Sequence, residues 1–432
     1  MGLLGGNAPK TSVWSYSGSV PGPTIRARQG ERIRVVVENR LREPTTVHWH
    51  GIRLSNRMDG VPHVTQKPIE PGQDFIYEFD VRDAGTYMYH SHQRSNVQVP
   101  MGLFGPLIVD EHELAVFDRD VTWMLSDWRV DHDGQVTPDF GAMMDVAMAG
   151  RIGNVVTING SLPRSWRANT GERLRLRIIN VASARFFGLD FDGHKPLVIA
   201  WDGQPVEPHD LSGPLVLGPG MRADLSLDMI GEPGSAYAVT DSYYGAPYRL
   251  ASFAYAAGEK LTGPRSGATL GLAANTMPEP DLGKAQRHII AFGGGMMGPG
   301  GMMGPGGMMG GRGMMGNGGG MMGGQTWTIN GVAATGAAMA PFLTLARGRT
   351  YVLSLRNDTA WPHPIHLHGH AFRVVARNAR PTPHREWRDT ALVEPRETVD
   401  VAFVADNPGD WMIHCHILDH QEAGMMGVIR VA

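Results

Sequence analysis

Apolar residues occupy every second position in three short stretches of the chain, residues 30–39, 171–180 and 348–357. Each stretch begins with a glycine and ends with an asparagine, and in the second one Leu174, Leu176 and Ile178 alternate with arginines. Alternation with a period of two is typical of a β-strand that buries one face. The three copies predict three similar β-domains along the chain.

A second repeated phrase separates the chemistry of these domains. Residues 85–92 align without gaps to residues 409–416, and both phrases end in two histidines separated by one residue. The corresponding stretch of the middle domain, residues 234–240, has the aromatic residue but no histidine pair. Short strands, frequent Gly and Pro turns and no long amphipathic helix predict antiparallel β-sandwiches. We expect the middle one to be a spacer without metal ligands.

The domains are predicted to span residues 1–111, 112–258 and 325–432. Residues 259–324 are predicted to form a linker, which contains a glycine-rich tract with repeated Met-Met pairs at residues 293–324. Glycine has maximal backbone entropy, and the tract has no apolar periodicity, so we expect a flexible surface excursion there.

Charge and composition exclude several classes of function. The net charge of −3 over 432 residues includes no basic block, which argues against a nucleic-acid partner. No run of about eighteen apolar residues is present, so no membrane span is predicted, and the first ten residues lack the pattern of a signal peptide. Cys415 is the only cysteine, so an intramolecular disulfide is excluded and this residue needs another explanation.

Histidines form compact clusters. Ten of the 18 fall into four groups: His48/His50, His90/His92, His363/His366/His368 and His414/His416/His420. In an extended strand, residues two apart point to the same side, so each His-x-His pair presents two imidazoles to one pocket. A single pair is weak evidence, but four groups in two repeated domains indicate bound metal.

Cys415 lies between His414 and His416, so its side chain must point away from both imidazoles. On its own side, Cys415 with His420 and a third imidazole would form the trigonal set of a blue copper centre, with Met425 as a weak axial ligand. His414 and His416 would face the histidine pairs of the first domain. Zinc also binds Cys and His, but a structural zinc site closes with four ligands, whereas this chain has a surplus of imidazoles.

Four motifs resemble those of a known family: HWHG at residues 48–51, HSH at 90–92, HPIHLHGH at 363–370 and HCHILDHQEAGMM at 414–426. They are similar to the copper-binding motifs of multicopper oxidases, and the stretches at residues 21–40 and 101–109 extend the resemblance over most of the chain. The resemblance is to three-domain bacterial laccases, including those that oxidise Cu(I). It implies an all-β chain of three cupredoxin-like Greek-key β-sandwich domains.

The same resemblance implies four copper ions, one of type 1, one of type 2 and a type 3 pair. Type 1 copper would be bound by His363, Cys415 and His420, with Met425 axial. Type 2 copper would be bound by His48 and His366. The type 3 pair would take the remaining imidazoles, which are those of His50, His90, His92, His368, His414 and His416.

One departure from the family pattern concerns proton delivery. Gln421 follows His420 where bacterial relatives commonly have a carboxylate. Asp59 stands where the family often places an acid near type 2 copper, and it is our candidate proton relay, although an aspartate before Gly60 is also an ordinary turn residue. Asp419 and Glu422 are weaker alternatives.

The resemblance implies a laccase-like oxidase that couples oxidation of phenols, aromatic amines or Cu(I) to reduction of O2 to water. We expect the reductant to dock at an exposed edge of His420 and the electron to cross Cys415 to His414 and His416. The Met-Met repeats favour Cu(I), since thioethers are soft ligands, but methionines that scavenge oxidants would give the same pattern.

Two other functions are weighed against this one. A copper-storage protein of a copper-resistance system would not need a thiolate between two imidazoles, and a nitrite reductase would need only three imidazoles at one type 2 copper. We expect a monomer. From the resemblance alone we expect it to be periplasmic or secreted.

Overall fold

The computed structural model describes residues 1–6, 8–113, 117–258, 270–296, 327–334 and 339–432. The predicted surface excursion of the Met-rich tract falls, from residue 297 onwards, outside the described residues. None of the helices in the described ranges is long and apolar enough to cross a membrane.

In the described residues, the first unit contains six strands in two sheets. The strands are β1 (Ile25–Arg28), β2 (Arg32–Glu38), β3 (Val47–His50), β4 (Asp74–Asp80), β5 (Gly85–Ser91) and β6 (Phe104–Asp110). One sheet has the order β1-β6-β5-β3, and the other consists of β2 and β4 alone among the described residues. A 3-10 turn (Asn56–Met58) and helix α1 (Ser95–Gln98) lie in the connections.

From residue 117 to residue 258, the second unit contains eleven strands and one short helix. These are β7 (Arg119–Trp128), helix α2 (Met143–Ala147), β8 (Val155–Ile158), β9 (Ser165–Ala168), β10 (Arg173–Asn180), β11 (Phe187–Phe191), β12 (Leu197–Trp201), β13 (Gln204–Asp210), β14 (Leu215–Leu217), β15 (Arg222–Asp228), β16 (Ala236–Asp241) and β17 (Tyr248–Tyr255). They form two sheets with the orders β13-β12-β15-β10-β7-β8 and β14-β11-β16-β17-β9.

The third unit repeats this arrangement. Its elements are β18 (Gln286–Gly294), β19 (Trp327–Ile329), β20 (Leu343–Leu345), β21 (Thr350–Asn357), β22 (His363–Leu367), β23 (Phe372–Arg377), β24 (Arg380–Pro381), β25 (Trp387–Arg388), β26 (Thr390–Val393), β27 (Thr398–Val404), β28 (Gly409–Cys415), helix α3 (Leu418–Glu422) and β29 (Met426–Val431). One sheet has the order β19-β18-β21-β27-β23-β24, with β25 paired to β23, and the other has the order β20-β29-β28-β22-β26.

Strand β18 lies within the stretch 259–324 that is predicted to be a linker, yet it pairs in parallel with β21. It includes Gly293 and Gly294, the first two residues of the glycine-rich tract. This part of the stretch therefore belongs to a sheet of the third unit. The linker prediction was wrong here because the apolar run in QRHIIAF is too short to be recognised as a strand beside the glycines.

The repeated stretches form the predicted strands β2, β10 and β21, and the structure gives a reason for the asparagine at the end of each. The three asparagine side chains are buried. Each Oδ1 accepts the backbone N–H two residues later, and each Nδ2 donates to a carbonyl four or five residues later, in Asn39, Asn180 and Asn357 alike. The asparagine thus fixes the turn that leaves each strand.

Candidate metal centre

The histidine pairs lie on four strands, or directly after them, at the place where the first and third units meet. In the first unit β3 pairs with β5 so that His48 lies opposite His90. In the third unit β22 pairs with β28 so that His366 lies opposite His414. Because alternate residues of a strand point to the same face, each strand pair directs its histidines to one side.

The two strand pairs face each other and their imidazoles interleave. The ring of His48 stacks on that of His368 with 3.9 Å between centroids. The ring of His50 stacks on that of His366 at 3.7 Å. The histidines of the first and third units therefore converge on one group, as the sequence predicts. We call these eight imidazoles the histidine cluster: His48, His50, His90, His92, His366, His368, His414 and His416.

Burial favours the neutral form of seven members of the histidine cluster. No member exposes more than 3% of its surface. Loss of hydration, followed by repulsion from neighbouring imidazoles, lowers the pKa of His90 to about 3 and lowers the pKa of six others in the same direction: His50, His92, His366, His368, His414 and His416. Neutral imidazoles have a free lone pair for a metal ion.

Hydrogen bonds fix which nitrogen carries that lone pair. Nδ1 of His48 lies 2.8 Å from the backbone oxygen of Asp59, and Nδ1 of His366 lies 2.9 Å from the backbone oxygen of Asp389. A carbonyl oxygen only accepts, so both Nδ1 atoms must donate. The Nε2 atoms of these two rings are buried and have no hydrogen-bond partner among the described residues, which leaves them as acceptors suited to a metal ion.

Two subsets of the cluster place their ring nitrogens close enough together to share a metal ion. The nearest ring nitrogens of His48, His366 and His368 lie within 4.8 Å of one another, and so do those of His92, His368 and His414. Buried acceptors without partners are costly, so several imidazoles converging on common points fit metal ions better than a packed core.

A separate trigonal group surrounds the sulfur. Cys415 Sγ lies 3.5 Å from Nδ1 of His363 and 3.8 Å from Nδ1 of His420, and these two nitrogens are 3.3 Å apart. His420 Nε2 donates to the backbone oxygen of Met148 at 2.7 Å, so its Nδ1 has the lone pair. His363 Nε2 lies 2.8 Å from Thr359 Oγ1. One thiolate and two imidazoles form a donor set that selects copper.

The predicted axial residue is tied to this group through its backbone. Met425 is fully buried, and its carbonyl accepts the backbone N–H of Cys415 at 3.0 Å. Its own N–H donates to the backbone oxygen of His420 at 2.9 Å. Burial raises the pKa of the Cys415 thiol well above its usual range. A thiolate here therefore requires a cation beside it, as a metal would supply.

The expectation of an exposed edge at His420 is wrong, while docking of the reductant near this residue stays a prediction. The residue is fully buried. The Trp327 ring lies over it with 4.0 Å between centroids, and the carbonyl of Met148 covers its Nε2. Both covering groups are distant from residue 420 in sequence, so the motif alone could not reveal them.

Asp59 contacts the histidine cluster directly. Its Oδ2 lies 2.8 Å from Nδ1 of His368, and its Oδ1 lies 3.3 Å from Nδ1 of His48. Asp59 also ends the 3-10 turn before Gly60. Its position therefore fits both an ordinary turn residue and an acid beside the metal site.

The alternative carboxylates lie beside helix α3. Asp419 Oδ2 accepts the N–H of Arg151, and Glu422 Oε1 accepts the N–H of Ser95. Gln421 donates to Ser95 Oγ at 3.0 Å.

Sequence reasoning missed one acid at the cluster. Asp389 is buried, with Oδ1 3.2 Å from Nε2 of His50 and 3.4 Å from Nδ1 of His366. Its carboxylate accepts two hydrogen bonds from the guanidinium of Arg222, at 2.7 and 2.6 Å. Burial by itself raises the pKa of Asp389, but Arg222 outweighs it and holds that pKa below its usual range.

Arg222 belongs to β15 of the second unit, so the prediction that this unit is only a spacer is incomplete. The second unit also contacts the cluster through Gly220, which has a positive φ of 82°. A Cβ at this position would lie 2.7 Å from carbon atoms of the His416 ring. No motif links these positions to the histidines, since they are far apart in the chain.

Comparison with known proteins identifies the family. Three family models, each described as multicopper oxidase, match residues 4–114, 119–256 and 318–432. The chain belongs to the multicopper oxidase family. Multicopper oxidase MmcO of Mycobacterium tuberculosis is 32% identical to it, over 98% of this chain and 83% of that protein.

Solved multicopper oxidases have the same fold. The crystal structure of a multi-copper oxidase from Pseudomonas thermotolerans is 35% identical and covers 100% of this chain and 96% of its own, with a TM-score of 0.86. A metallo-oxidase from Campylobacter jejuni is 26% identical and covers 97% and 87%, with a TM-score of 0.79. The predicted all-β class of cupredoxin-like domains is confirmed.

This multicopper oxidase is a copper-binding oxidoreductase of the laccase-like type that uses O2 as electron acceptor. Its relatives include Laccase-2 of Botryotinia fuckeliana, 29% identical over 96% of this chain and 78% of that protein. The alternative of copper storage without turnover is not favoured by these relatives, and the thiolate group and the histidine cluster fit copper.

Proposed function

We propose that this multicopper oxidase binds four copper ions and couples the one-electron oxidation of phenols, aromatic amines or Cu(I) to the reaction O2 + 4 e⁻ + 4 H⁺ → 2 H2O. The type 1 ligands are His363, Cys415 and His420 with Met425 axial. The type 2 ligands are His48 and His366. The type 3 ligands are the other six members of the histidine cluster.

Copper bound at these positions supplies the one-electron steps that bring four electrons to O2 before partly reduced oxygen can escape. The protein orients the lone pairs: backbone carbonyls hold the Nδ1 protons of His48 and His366, so Nε2 of each ring faces the cluster. Complete burial excludes bulk water from the same space.

The covalent chain between the two groups is the electron path. Cys415 Sγ belongs to the trigonal group, while His414 and His416 on either side point into the histidine cluster. His414 Nδ1 also donates to the backbone oxygen of Cys415 at 2.9 Å, which holds this ring against the same peptide. We therefore assign Cys415, His414 and His416 as catalytic.

Asp59 is the proposed proton relay. Its Oδ2 accepts the Nδ1 proton of His368 at 2.8 Å, while its Oδ1 has no hydrogen-bond partner among the described residues. A carboxylate at the cluster with an oxygen that makes no hydrogen bond can accept a proton and pass it inward. Gln421 cannot do this, since an amide does not titrate.

The reductant delivers its electron across the cover formed by Trp327 and Met148 rather than to His420 itself. For Cu(I), the Met-rich tract is the proposed capture segment. Deleting residues 297–324 is expected to reduce Cu(I) oxidation while phenol oxidation persists, and equal losses of both rates would contradict this role.

The test of the proposal is Cys415→Ser. We expect the loss of the intense thiolate-to-copper absorption, a copper content lower by one ion, and the loss of oxidase turnover. The matched control is His194→Gln, a buried histidine of the second unit that bonds Tyr255, and it should retain colour and copper. A Cys415→Ser protein that remained blue would refute the type 1 assignment.

The proposal includes a monomer that works in the periplasm or outside the cell. The support for this location is the family resemblance. Light scattering tests the first statement and fractionation of cells tests the second.

A further inference from the structure

One indole ring lies against both imidazoles of the trigonal group. The centroid of the Trp327 ring is 4.0 Å from that of His420, and the two planes are tilted by 32°. The same indole meets the His363 ring edge-on, with 5.1 Å between centroids and 78° between planes. No other aromatic ring among the described residues contacts both imidazoles. Trp327 is therefore packed directly on two of the proposed type 1 ligands.

Three contacts fix this indole from outside the trigonal group. Its Nε1–H donates to the carbonyl of Val146 in helix α2 at 2.6 Å. The backbone N–H of Trp327 donates to the carbonyl of Ala423 at 3.3 Å. Gly295 packs against the far edge of the indole, where a Cβ would lie 2.5 Å from the ring atom Cη2. These contacts hold the fully buried ring in one place before any reductant arrives.

The residues that hold the indole reach the protein surface. Met296 is half-buried, and its N–H donates to the carbonyl of Ala147 in helix α2 at 2.9 Å. On the same helix, Met143 exposes 63% of its surface and Met144 exposes 51%. Helix α2 and the residue before Met296 both contact the indole, so this face of the protein is joined to His420 through the ring.

Two routes lead from this face to His420. One is the peptide of Met148, whose carbonyl accepts the Nε2–H of His420 at 2.7 Å. The other is the indole, which covers one face of His420 and touches His363 as well. The hydrogen bond joins the imidazole at a single atom, whereas stacked and edge-to-face rings meet over many atoms. Electron transfer weakens steeply across empty space, so the wider contact favours the indole.

We propose that Trp327 is the electron bridge between a docked reductant and the type 1 site, an inference that rests on the proposed function. In each transfer one electron leaves the reductant and reduces the metal held by Cys415, His363 and His420. The indole is not itself oxidised, and its Nε1 keeps its proton in the hydrogen bond to Val146. Trp327 acts through the two imidazoles, so it is a positioning residue and not a ligand.

The experiment compares Trp327→Phe with Trp327→Leu in the full copper-loaded chain. Both variants lose the hydrogen bond to Val146 and keep the Met148 peptide, but only Trp327→Phe keeps an aromatic ring beside His420. Anaerobic stopped-flow measures how fast a phenol, and separately Cu(I), bleaches the blue absorption. We expect Trp327→Leu to bleach about tenfold more slowly with both reductants, which corresponds to about 1.4 kcal/mol in the barrier. Trp327→Phe should stay near the original rate.

Three further measurements separate an electron bridge from a structural role. The blue absorption and the reduction potential of the type 1 site should stay near their original values in both variants, because every ligand is kept. The rate at which O2 restores the colour should also be unchanged, since the covalent path through Cys415 is kept. In the copper-free protein, hydrogen exchange of the Val146 amide, which donates to Ala142, should be equal in the two variants. Equal exchange shows that helix α2 is equally stable in both.

An unchanged bleaching rate in Trp327→Leu would overturn the proposal, since the Met148 peptide would then carry the electron. Equal slowing by both variants would overturn it too, because the shared loss of the Val146 hydrogen bond would be the cause. Faster bleaching in Trp327→Leu would show that the ring is only a barrier. If Trp327→Leu does not bind copper, Trp327→Met takes its place, because methionine is also without a ring. Failure of the type 1 assignment is seen in Cys415→Ser, not in the ratio of these rates.

Discussion

Replacing Arg222 with methionine tests the link between the second unit and the histidine cluster. Arg222 is fully buried and donates two hydrogen bonds to the Asp389 carboxylate, at 2.7 and 2.6 Å. Methionine fills similar volume but leaves the buried Asp389 carboxylate without its guanidinium partner. Removing one partner of a buried ion pair costs about 3–5 kcal/mol, so we predict a loss of this size in the free energy of unfolding.

The assay is urea unfolding of the copper-free protein, followed by tryptophan fluorescence. The control is Arg26→Met, because Arg26 also donates two hydrogen bonds to one carboxylate, that of Asp110, but exposes 50% of its side chain. An exposed pair contributes roughly 0–1 kcal/mol.

The double variant Arg222→Met/Asp389→Leu removes both charges and should recover part of the loss. Copper analysis of the single variant should show reduced occupancy, since Asp389 contacts His50 and His366. If Arg222→Met cost no more than Arg26→Met, the buried pair would not stabilise the unit contact and the reasoning would be refuted.

Three further predictions follow from the same region and from the strand ends. Burial, followed by repulsion from Asp389, raises the pKa of Asp202 to about 6. The folded state then holds this proton more tightly than the unfolded state, so the free energy of unfolding should fall as pH rises from about 4 to about 6. Urea titrations across this pH range should show a smaller fall in the variant Asp202→Asn. Gly220→Ala should lower copper content, because the added Cβ meets the His416 ring at 2.7 Å; normal copper analysis would contradict this. Asn180→Ala should cost roughly 1–3 kcal/mol for each buried backbone group left unpaired, measured by urea unfolding, and a loss below about 0.5 kcal/mol would show that water replaces the side chain.

The sequence predicted the strands and the shared face of each histidine pair because both depend on a local rule. A period of two determines which residues share a face, and it therefore also determines that Cys415 points away from His414 and His416. The rule needs no knowledge of the rest of the chain.

The parts that were missed all depend on contacts between distant segments. Arg222 and Asp389 are 167 residues apart, and no local pattern distinguishes a buried ion pair from two surface charges. The cover of His420 by Trp327 is of the same kind, and the expectation of an exposed edge was wrong for this reason. Strand β18 was assigned to the linker because its pairing with β21 is also non-local.

The ligands of the histidine cluster begin at residue 48 and end at residue 416, so the chain must be almost completely synthesised before the site can exist. A nascent polypeptide that stops before residue 363 holds four of the eight imidazoles of the cluster and no cysteine. Since domains fold in order during synthesis, an unfinished chain lacks half of the imidazoles that the cluster brings together. The order of the units along the chain therefore makes the assembly of the cluster one of the last events in the folding of this protein.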